Sequence, residues 1–264
     1  MLKGILALVG LQNQLEEYNM KKAHYTTLAK LFEYPSDESY YTSVMDAINE
    51  LSTDYPDAAT ELEAFSKLLP KDLYQLQEIY TKSFEVQAVT SLEIGYLLYG
   101  DDYTRGEVMV HLNREHTAVG NALGTELSDH IGNVLRLLPK MKDESVIDDL
   151  VTLMIAPAVE VMMKEYTPNN MEAKDKLYKK QYKTLIIPSV PVGMFLHLIK
   201  ALYMVLDSDF ALIKENKPFG DASFLGFLSS ELEVEEGKKS SNSCSPTFNT
   251  SGVMPGMSGC SGCL

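Results

Sequence analysis

Apolar side chains recur every three or four residues along most of this chain. That spacing places them on one face of an α-helix, and the strict apolar-polar alternation of a half-buried strand is missing from the sequence. The pattern predicts an all-α protein. It is clearest in five runs, which are Tyr41, Met45, Ile48 and Leu51; Leu62, Phe65 and Leu69; Leu73, Leu76, Tyr80 and Phe84; Ile147, Leu150, Val151 and Met154; and Phe195, Leu198, Ile199, Leu202 and Leu206.

Proline and glycine residues interrupt this pattern and predict where helices begin or end. Proline lacks a backbone N–H and restricts the residue before it, whereas glycine is frequent just after a helix. The interruptions predict a single-domain bundle of about nine or ten helices. Pro157 lies inside an apolar run, so either one helix kinks there or two helices meet. The other breaks are Tyr34-Pro35, Tyr55-Pro56, Pro70-Lys71, Gly100, Gly124, Pro139 and Thr167-Pro168.

The two ends of the chain differ in composition from the predicted helical domain, residues 23–232. Residues 1–22 contain a short apolar stretch without a cleavage site, which predicts a loose arm and no export signal. Met20 is an alternative start directly before the first helix. Residues 233–264 are rich in glycine, serine, lysine and proline, which predicts a disordered tail.

The three cysteines all lie in the predicted tail. Cys260 and Cys263 form a C-x-x-C pair with Cys244 upstream, which supplies part of a four-ligand zinc site. An alternative function is therefore a helical metal-binding or redox protein that uses these thiols, and metal analysis of the purified chain would distinguish it. The helical domain has no cysteine for a disulfide framework, which fits a cytoplasmic location.

The net charge is −14, from 23 basic and 37 acidic residues. An acidic surface repels phosphate groups, so we expect no nucleic-acid partner and no direct membrane insertion, and basic peptide segments are the favoured partners. The main basic stretch is residues 170–183, and a charge run of this kind is typical of a solvated helix face.

The sequence contains none of the common catalytic or nucleotide-binding motifs. G-x-S-x-G, the P-loop and G-x-G-x-x-G are all missing from it. His111, His116 and His130 lie in the central segment, but their spacing matches neither a zinc motif nor a di-iron motif. We therefore expect no enzymatic activity, no bound cofactor and no catalytic metal.

The central segment contains two polar turns, each followed by an apolar run. Thr104 and Glu107 have capping-box spacing in the first turn, and the second turn precedes the run that begins at Ile131. The polar side chains either cap and pair at helix starts, or form a polar rim beside an apolar groove that binds a peptide. Their candidate residues are Tyr99, Asp101, Asp102 and Arg105 in the first turn, and Glu126, Asp129 and His130 in the second.

These turns resemble motifs of the assembly chaperones of molybdenum oxidoreductases, the nitrate reductase delta-subunit type or NarJ/TorD/DmsD family. The family motifs Y-G-D-x-x-x-R-G and E-L-P-D-H-L correspond to residues 99–106 and 126–131, with Ser128 in place of the usual proline. A serine there can still cap a turn. Leu28 to Pro35 and Leu76 to Tyr80 with Phe84 resemble two further family motifs, so the resemblance covers roughly residues 23–230.

The resemblance implies a cytoplasmic, non-enzymatic chaperone of anaerobic respiration. Its partner would be the immature catalytic subunit of a molybdenum oxidoreductase, bound through a basic or twin-arginine-like N-terminal peptide until the molybdenum cofactor is inserted. The seven candidate residues would bind that peptide, since carboxylates accept charge-assisted hydrogen bonds from arginine. We expect Asp102→Asn or Asp129→Asn to change stability little and to weaken peptide binding more.

Overall fold

The computed structural model describes residues 22–186, 188 and 192–212. The predicted tail with its cysteines and nearly all of the predicted N-terminal arm lie outside these residues. The described part of the chain forms ten helices and no β-strand, which confirms the all-α single-domain prediction. The helices are α1 (His24–Lys30), α2 (Ser39–Leu51), α3 (Pro56–Leu68), α4 (Leu73–Phe84), α5 (Ile94–Tyr99), α6 (Tyr103–Ala118), α7 (Ile131–Leu137), α8 (Glu144–Leu150, the π-helical Val151–Ile155 and Ala156–Glu165), α9 (Pro168–Tyr182) and α10 (Phe195–Phe210).

Several helix boundaries fall at predicted breaks, whereas Gly124 lies within the loop between α6 and α7. Pro56 and Pro168 occupy the first turns of α3 and α9, where a missing N–H costs no helical hydrogen bond. Gly100 and Gly124 have φ values of 65° and 67°, which residues with a Cβ atom adopt only with strain. Pro139 lies in a short 3₁₀ turn that ends α7. Local backbone chemistry therefore sets these boundaries.

Helix α8 decides between the two alternatives at Pro157, because the helix continues through this residue. A π-helical turn precedes the proline, and the Ala156 N–H donates to the carbonyl of Val151, five residues earlier. Proline has no N–H to donate a helical hydrogen bond. The wider π turn accommodates the missing hydrogen bond without ending the helix. A single helix therefore spans the apolar run.

Helix α10 lies at the centre of the bundle and packs against α3 and α8. The Phe195 ring contacts the rings of Phe65, Tyr80 and Phe84, with centroid distances of 5.6, 6.0 and 4.8 Å. Such tilted and edge-to-face aromatic contacts stabilise a core beyond the area that they bury. The predicted apolar face of α10 is confirmed, since Phe195, Leu198, Ile199, Leu202 and Leu206 are fully buried.

The start and the end of the described bundle are joined at Asp209 in α10. Its carboxylate accepts hydrogen bonds from the Tyr25 hydroxyl at 2.7 Å and the Tyr55 hydroxyl at 2.6 Å, and it pairs with His24 at 3.1 Å. Hydrogen bonds from these groups lower the pKa of Asp209 although burial opposes them. This contact fixes α1, which in turn packs against α7 beside the second polar turn.

Candidate functional site

The two polar turns of the central segment meet in space. Arg105 Nε donates to Asp129 Oδ2 at 3.0 Å, although 24 residues separate the two along the chain. The backbone fastens the second turn further: Ile94 N donates to the Asp129 carbonyl at 2.9 Å, and Ile131 N donates to the Leu92 carbonyl at 2.8 Å. The second turn is therefore held against both α6 and the start of α5.

Asp129 is enclosed, whereas its partner Arg105 reaches the surface. Their side chains are 0% and 17% exposed, and Asp129 Oδ1 has no hydrogen-bond partner among the described residues. A Cβ on Gly95 would lie 2.7 Å from Asp129 Oδ2, so only glycine permits this approach. The Arg105 guanidinium lies 5.3 Å from the Tyr96 ring centroid, in cation–π range. We call Gly95, Tyr96 and Asp129 the guanidinium cradle.

His130 caps helix α7. Its Nδ1 accepts a hydrogen bond from Gly132 N at 3.1 Å, so this nitrogen is unprotonated. Burial lowers the pKa of His130, and the nearby carboxylates of Glu93, Glu126 and Asp129 oppose that shift. The sequence allowed Asp129 to share in holding this helix start, but the side-chain cap is His130 alone and the Asp129 carboxylate turns to Arg105.

Asp102 caps helix α6 and remains exposed. Its Oδ1 accepts hydrogen bonds from Thr104 N at 2.8 Å and Thr104 Oγ1 at 2.6 Å, and these bonds lower the pKa of Asp102. The capping-box prediction, which makes Thr104 the N-cap residue, is therefore wrong. The N-cap residue is Asp102, two positions earlier. Asp101, the preceding residue, and Glu126 in the second turn are both exposed, and Tyr99 is half-buried at the end of α5.

The seven predicted site residues thus divide into two groups. Arg105 and the buried Asp129 and His130 form the joint between the turns, while the exposed carboxylates of Asp101, Asp102 and Glu126, which we call the acidic rim, lie outside it. Tyr99 packs against the core from α5. Arg105 and Asp129 bring the two turns together, whereas Asp102 remains outside the joint.

A buried polar network beside the joint had not been predicted. His116 Nε2 donates to the Ser128 carbonyl at 3.0 Å, and its Nδ1 accepts from Asn121 Nδ2 at 2.9 Å. Asn121 also donates to the Asn133 carbonyl at 3.1 Å and accepts from Lys140 Nζ at 2.6 Å. Burial lowers the pKa of His116. These residues are scattered over 25 positions of sequence, so local spacing offers no signal for them.

Ser128 replaces the proline of the resembling motif and bonds to α6. Its hydroxyl donates to the Met109 carbonyl at 3.2 Å, and its side chain is buried. The sequence allowed this serine to cap the turn. It does not do so, and its hydroxyl joins the second turn to α6 instead. Such a hydroxyl contact gives the turn a tether that proline would lack.

Helix α6 carries an unusually open surface next to the acidic rim. Only Leu112 and His116 of its sixteen residues are buried. Tyr103 and Val110, seven residues apart and hence on one face, are 82% and 50% exposed. Leu127, beside the tethered Ser128, is also exposed. Exposed apolar side chains thus adjoin the acidic rim in sequence at both turns, Tyr103 after Asp102 and Leu127 after Glu126.

The two flanking motifs that resemble the family also touch each other. The Tyr80 hydroxyl donates to the Phe32 carbonyl at 2.9 Å, and Gln77 Nε2 donates to the Pro35 carbonyl at 2.9 Å. Because α1 packs against α7, the first flanking motif also borders the second polar turn. All four motif segments consequently form one contiguous region.

A cleft of about 440 Å³ opens between the end of α1 and the first half of α2. Its lining is mainly polar, with Lys30, Asp37 and Asp46 beside the half-exposed ring of Tyr34. None of the seven predicted site residues lines this cleft. It therefore lies apart from the polar turns.

Neither the known protein-family models nor the curated proteins include a match to this chain. Between residues 22 and 212, the described helices lack the length and hydropathy that a membrane span requires. In the same residues no three His, Cys, Asp or Glu side chains are grouped so as to hold a metal ion. Cys244, Cys260 and Cys263 lie outside the part of the chain that the structure describes.

Proposed function

We propose that this protein is a cytoplasmic, non-enzymatic assembly chaperone of a molybdenum oxidoreductase such as a nitrate reductase. It binds the N-terminal leader, or its remnant, of the immature catalytic subunit and supports insertion of the molybdenum cofactor. One observation carries the proposal: four segments that resemble the NarJ/TorD/DmsD family are separated in sequence but contiguous in the fold. A shared binding region is a physical reason for such motifs to occur together.

The surface of this region suits a peptide that carries both basic and apolar residues. Among the described residues, no basic side chain pairs with the carboxylates of the acidic rim. The Asp102 carboxylate accepts hydrogen bonds only from Thr104. Tyr103 and Val110 present apolar surface on the adjoining helix. An arginine-containing leader would gain charge-assisted hydrogen bonds at the rim and bury apolar side chains on α6.

Capture of the client from the native host tests the proposal. The full chain is immobilised, incubated with host lysate and analysed by mass spectrometry, and the catalytic subunit of a molybdenum oxidoreductase should be enriched. A rim variant with Asp101→Asn, Asp102→Asn and Glu126→Gln should capture less. Its matched control neutralises three exposed carboxylates elsewhere, through Asp54→Asn, Asp57→Asn and Glu63→Gln.

Salt provides a second test with the captured client's leader peptide. If carboxylates steer a basic peptide, raising the ionic strength should weaken binding, chiefly by slowing association. Enrichment of no molybdenum-enzyme subunit contradicts the proposal. Equal capture by the rim variant and its control removes the assigned role of the acidic rim.

A further inference from the structure

We propose that the guanidinium cradle is an arginine-binding site that Arg105 fills in the free protein, and that an arginine of the client peptide displaces Arg105 from it. The arginine-binding chemistry is read from the cradle itself, and the identity of the displacing peptide rests on the proposed function. Arg105 is thus an internal ligand that keeps the site closed until a partner arrives.

The cradle has the three parts that recognise a guanidinium group. The Asp129 carboxylate supplies the counter-charge, the Tyr96 ring supplies a flat face, and Gly95 leaves room beside Asp129 Oδ2. A planar guanidinium both bonds to carboxylates and stacks on aromatic rings, which an ammonium group does less well. The class of ligand is therefore arginine.

Arg105 uses this cradle incompletely. Its hydrogen bond to Asp129 runs through Nε and Oδ2, although a carboxylate can accept two parallel bonds from one guanidinium. Asp129 Oδ1 is buried and has no partner among the described residues. A guanidinium that takes the place of Arg105 and bonds to both carboxylate oxygens would satisfy the oxygen that Arg105 leaves unbonded, which favours exchange.

The displaced Arg105 side chain can pair with carboxylates of the acidic rim. Asp101 and Asp102 precede Arg105 by only four and three residues and lie directly before α6, with Asp102 as its N-cap. Asp101 is exposed and has no hydrogen bond or ion pair in the described part of the chain. Exchange would leave the client arginine paired with Asp129 and Arg105 paired with the acidic rim, so no buried charge loses its partner.

Binding of a single-arginine probe tests the cradle without any client. The probe is N-acetyl-L-arginine methylamide, and its control is the citrulline analogue, which has nearly the same shape and no charge. If Arg105 fills the cradle about nine-tenths of the time, removing it should tighten probe binding about tenfold. We therefore expect Arg105→Ala in the full chain to bind the arginine probe about tenfold more tightly than the wild type.

Two further variants keep the test decisive. Arg105→Ala combined with Asp129→Asn removes both charges and should lose the gain in probe affinity. Arg105→Lys retains a positive charge but forms a poorer planar contact, so it should give a smaller gain, and it replaces Arg105→Ala if that variant does not fold. Equal affinity of wild type and single variants, equal binding of the citrulline analogue, or full binding by the double variant overturns the proposal.

The outcome is separable from that of the chaperone proposal. Capture of a molybdenum-enzyme subunit without any gain in probe affinity rejects the exchange and leaves the chaperone function standing. A tenfold gain with capture of no such subunit supports the cradle and rejects the assigned client.

Discussion

Two buried ion pairs of this bundle differ in how completely they are enclosed. Lys174 and Glu165 pair with side chains only 2% and 3% exposed, and Lys174 also donates to the Val89 carbonyl. In the pair of Arg105 with Asp129, the arginine is 17% exposed, and the difference lies in this exposure because each pair has a buried carboxylate oxygen without a hydrogen bond, Glu165 Oε2 and Asp129 Oδ1. The first arrangement holds a fixed position in the core, whereas the second can exchange its cation with an outside group.

The enclosed pair belongs to a set of contacts that hold the loop between α4 and α5 against α9. The Tyr178 hydroxyl donates to the Ala88 carbonyl at 2.9 Å, and Lys82 of α4, which pairs with Asp175 of α9, donates to the Gln87 carbonyl at 2.7 Å. Gln87 Nε2 also donates to the Thr184 carbonyl at 3.1 Å. Because this loop leads into α5, the enclosed pair helps to position the cradle from a distance.

Removing the enclosed lysine should have the largest effect on stability. Lys174→Ala leaves Glu165 buried without its counter-charge, which typically costs about 3–5 kcal/mol of unfolding free energy. Urea unfolding measures the loss. The double variant Lys174→Met with Glu165→Leu removes both charges and should recover most of it. A loss below about 1 kcal/mol in Lys174→Ala would mean that the pair does not anchor α9.

Asp129→Asn should have an intermediate effect. The sequence led us to expect little change, but Asp129 is buried and paired, so the amide leaves Arg105 without its carboxylate. Loss of a hydrogen bond to a charged group costs about 1.5–3 kcal/mol, and the partial exposure of Arg105 places the cost below that of Lys174→Ala. Asp102→Asn is the matched control, and its melting temperature should not change because asparagine caps a helix equally well. Equal melting curves for the two variants contradict the division into joint and rim.

The fold was predictable because its signals are local. Apolar spacing defines α10, and proline or glycine chemistry sets boundaries such as Pro56 and Gly100. The candidate site was predictable only as two polar turns. Lys174 shows why: lysine is almost always exposed, so the run around it indicated a solvated face, and only the distant Glu165 reveals that it is buried. The burial of Asp129 gave no sequence signal for the same reason, since the residues against it, Gly95 and Arg105, are distant in sequence.

Acidic pH should lower the free energy of unfolding gradually, through two histidines at and beside the joint. Burial lowers the pKa of His116 and of His130 from the usual value of 6.5, although Ser128 and Glu93 respectively oppose the shifts. Below that value the unfolded chain binds more protons than the folded chain, so stability should fall as the pH drops from about 7 to 5. Unfolding by urea at each pH measures this slope. His116→Gln keeps an amide donor and an acceptor, and it should flatten the slope; an unchanged slope would assign it to other groups.

The smallest effect on stability is expected for Lys176→Ala, two residues after Lys174. Lys176 pairs with Glu172 one turn earlier on α9, but their side chains are 73% and 66% exposed, so water competes for both charges. Lys176→Ala should therefore leave the melting temperature unchanged within error, in contrast to Lys174→Ala on the same helix. Both variants remove a lysine side chain, its charge and one ion pair, and Lys174→Ala also removes a hydrogen bond to the Val89 carbonyl, so the two differ in their buried contacts. If both lowered the melting temperature equally, the positive charge of α9 as a whole would stabilise the bundle, and the distinction between enclosed and open pairs would lose its basis.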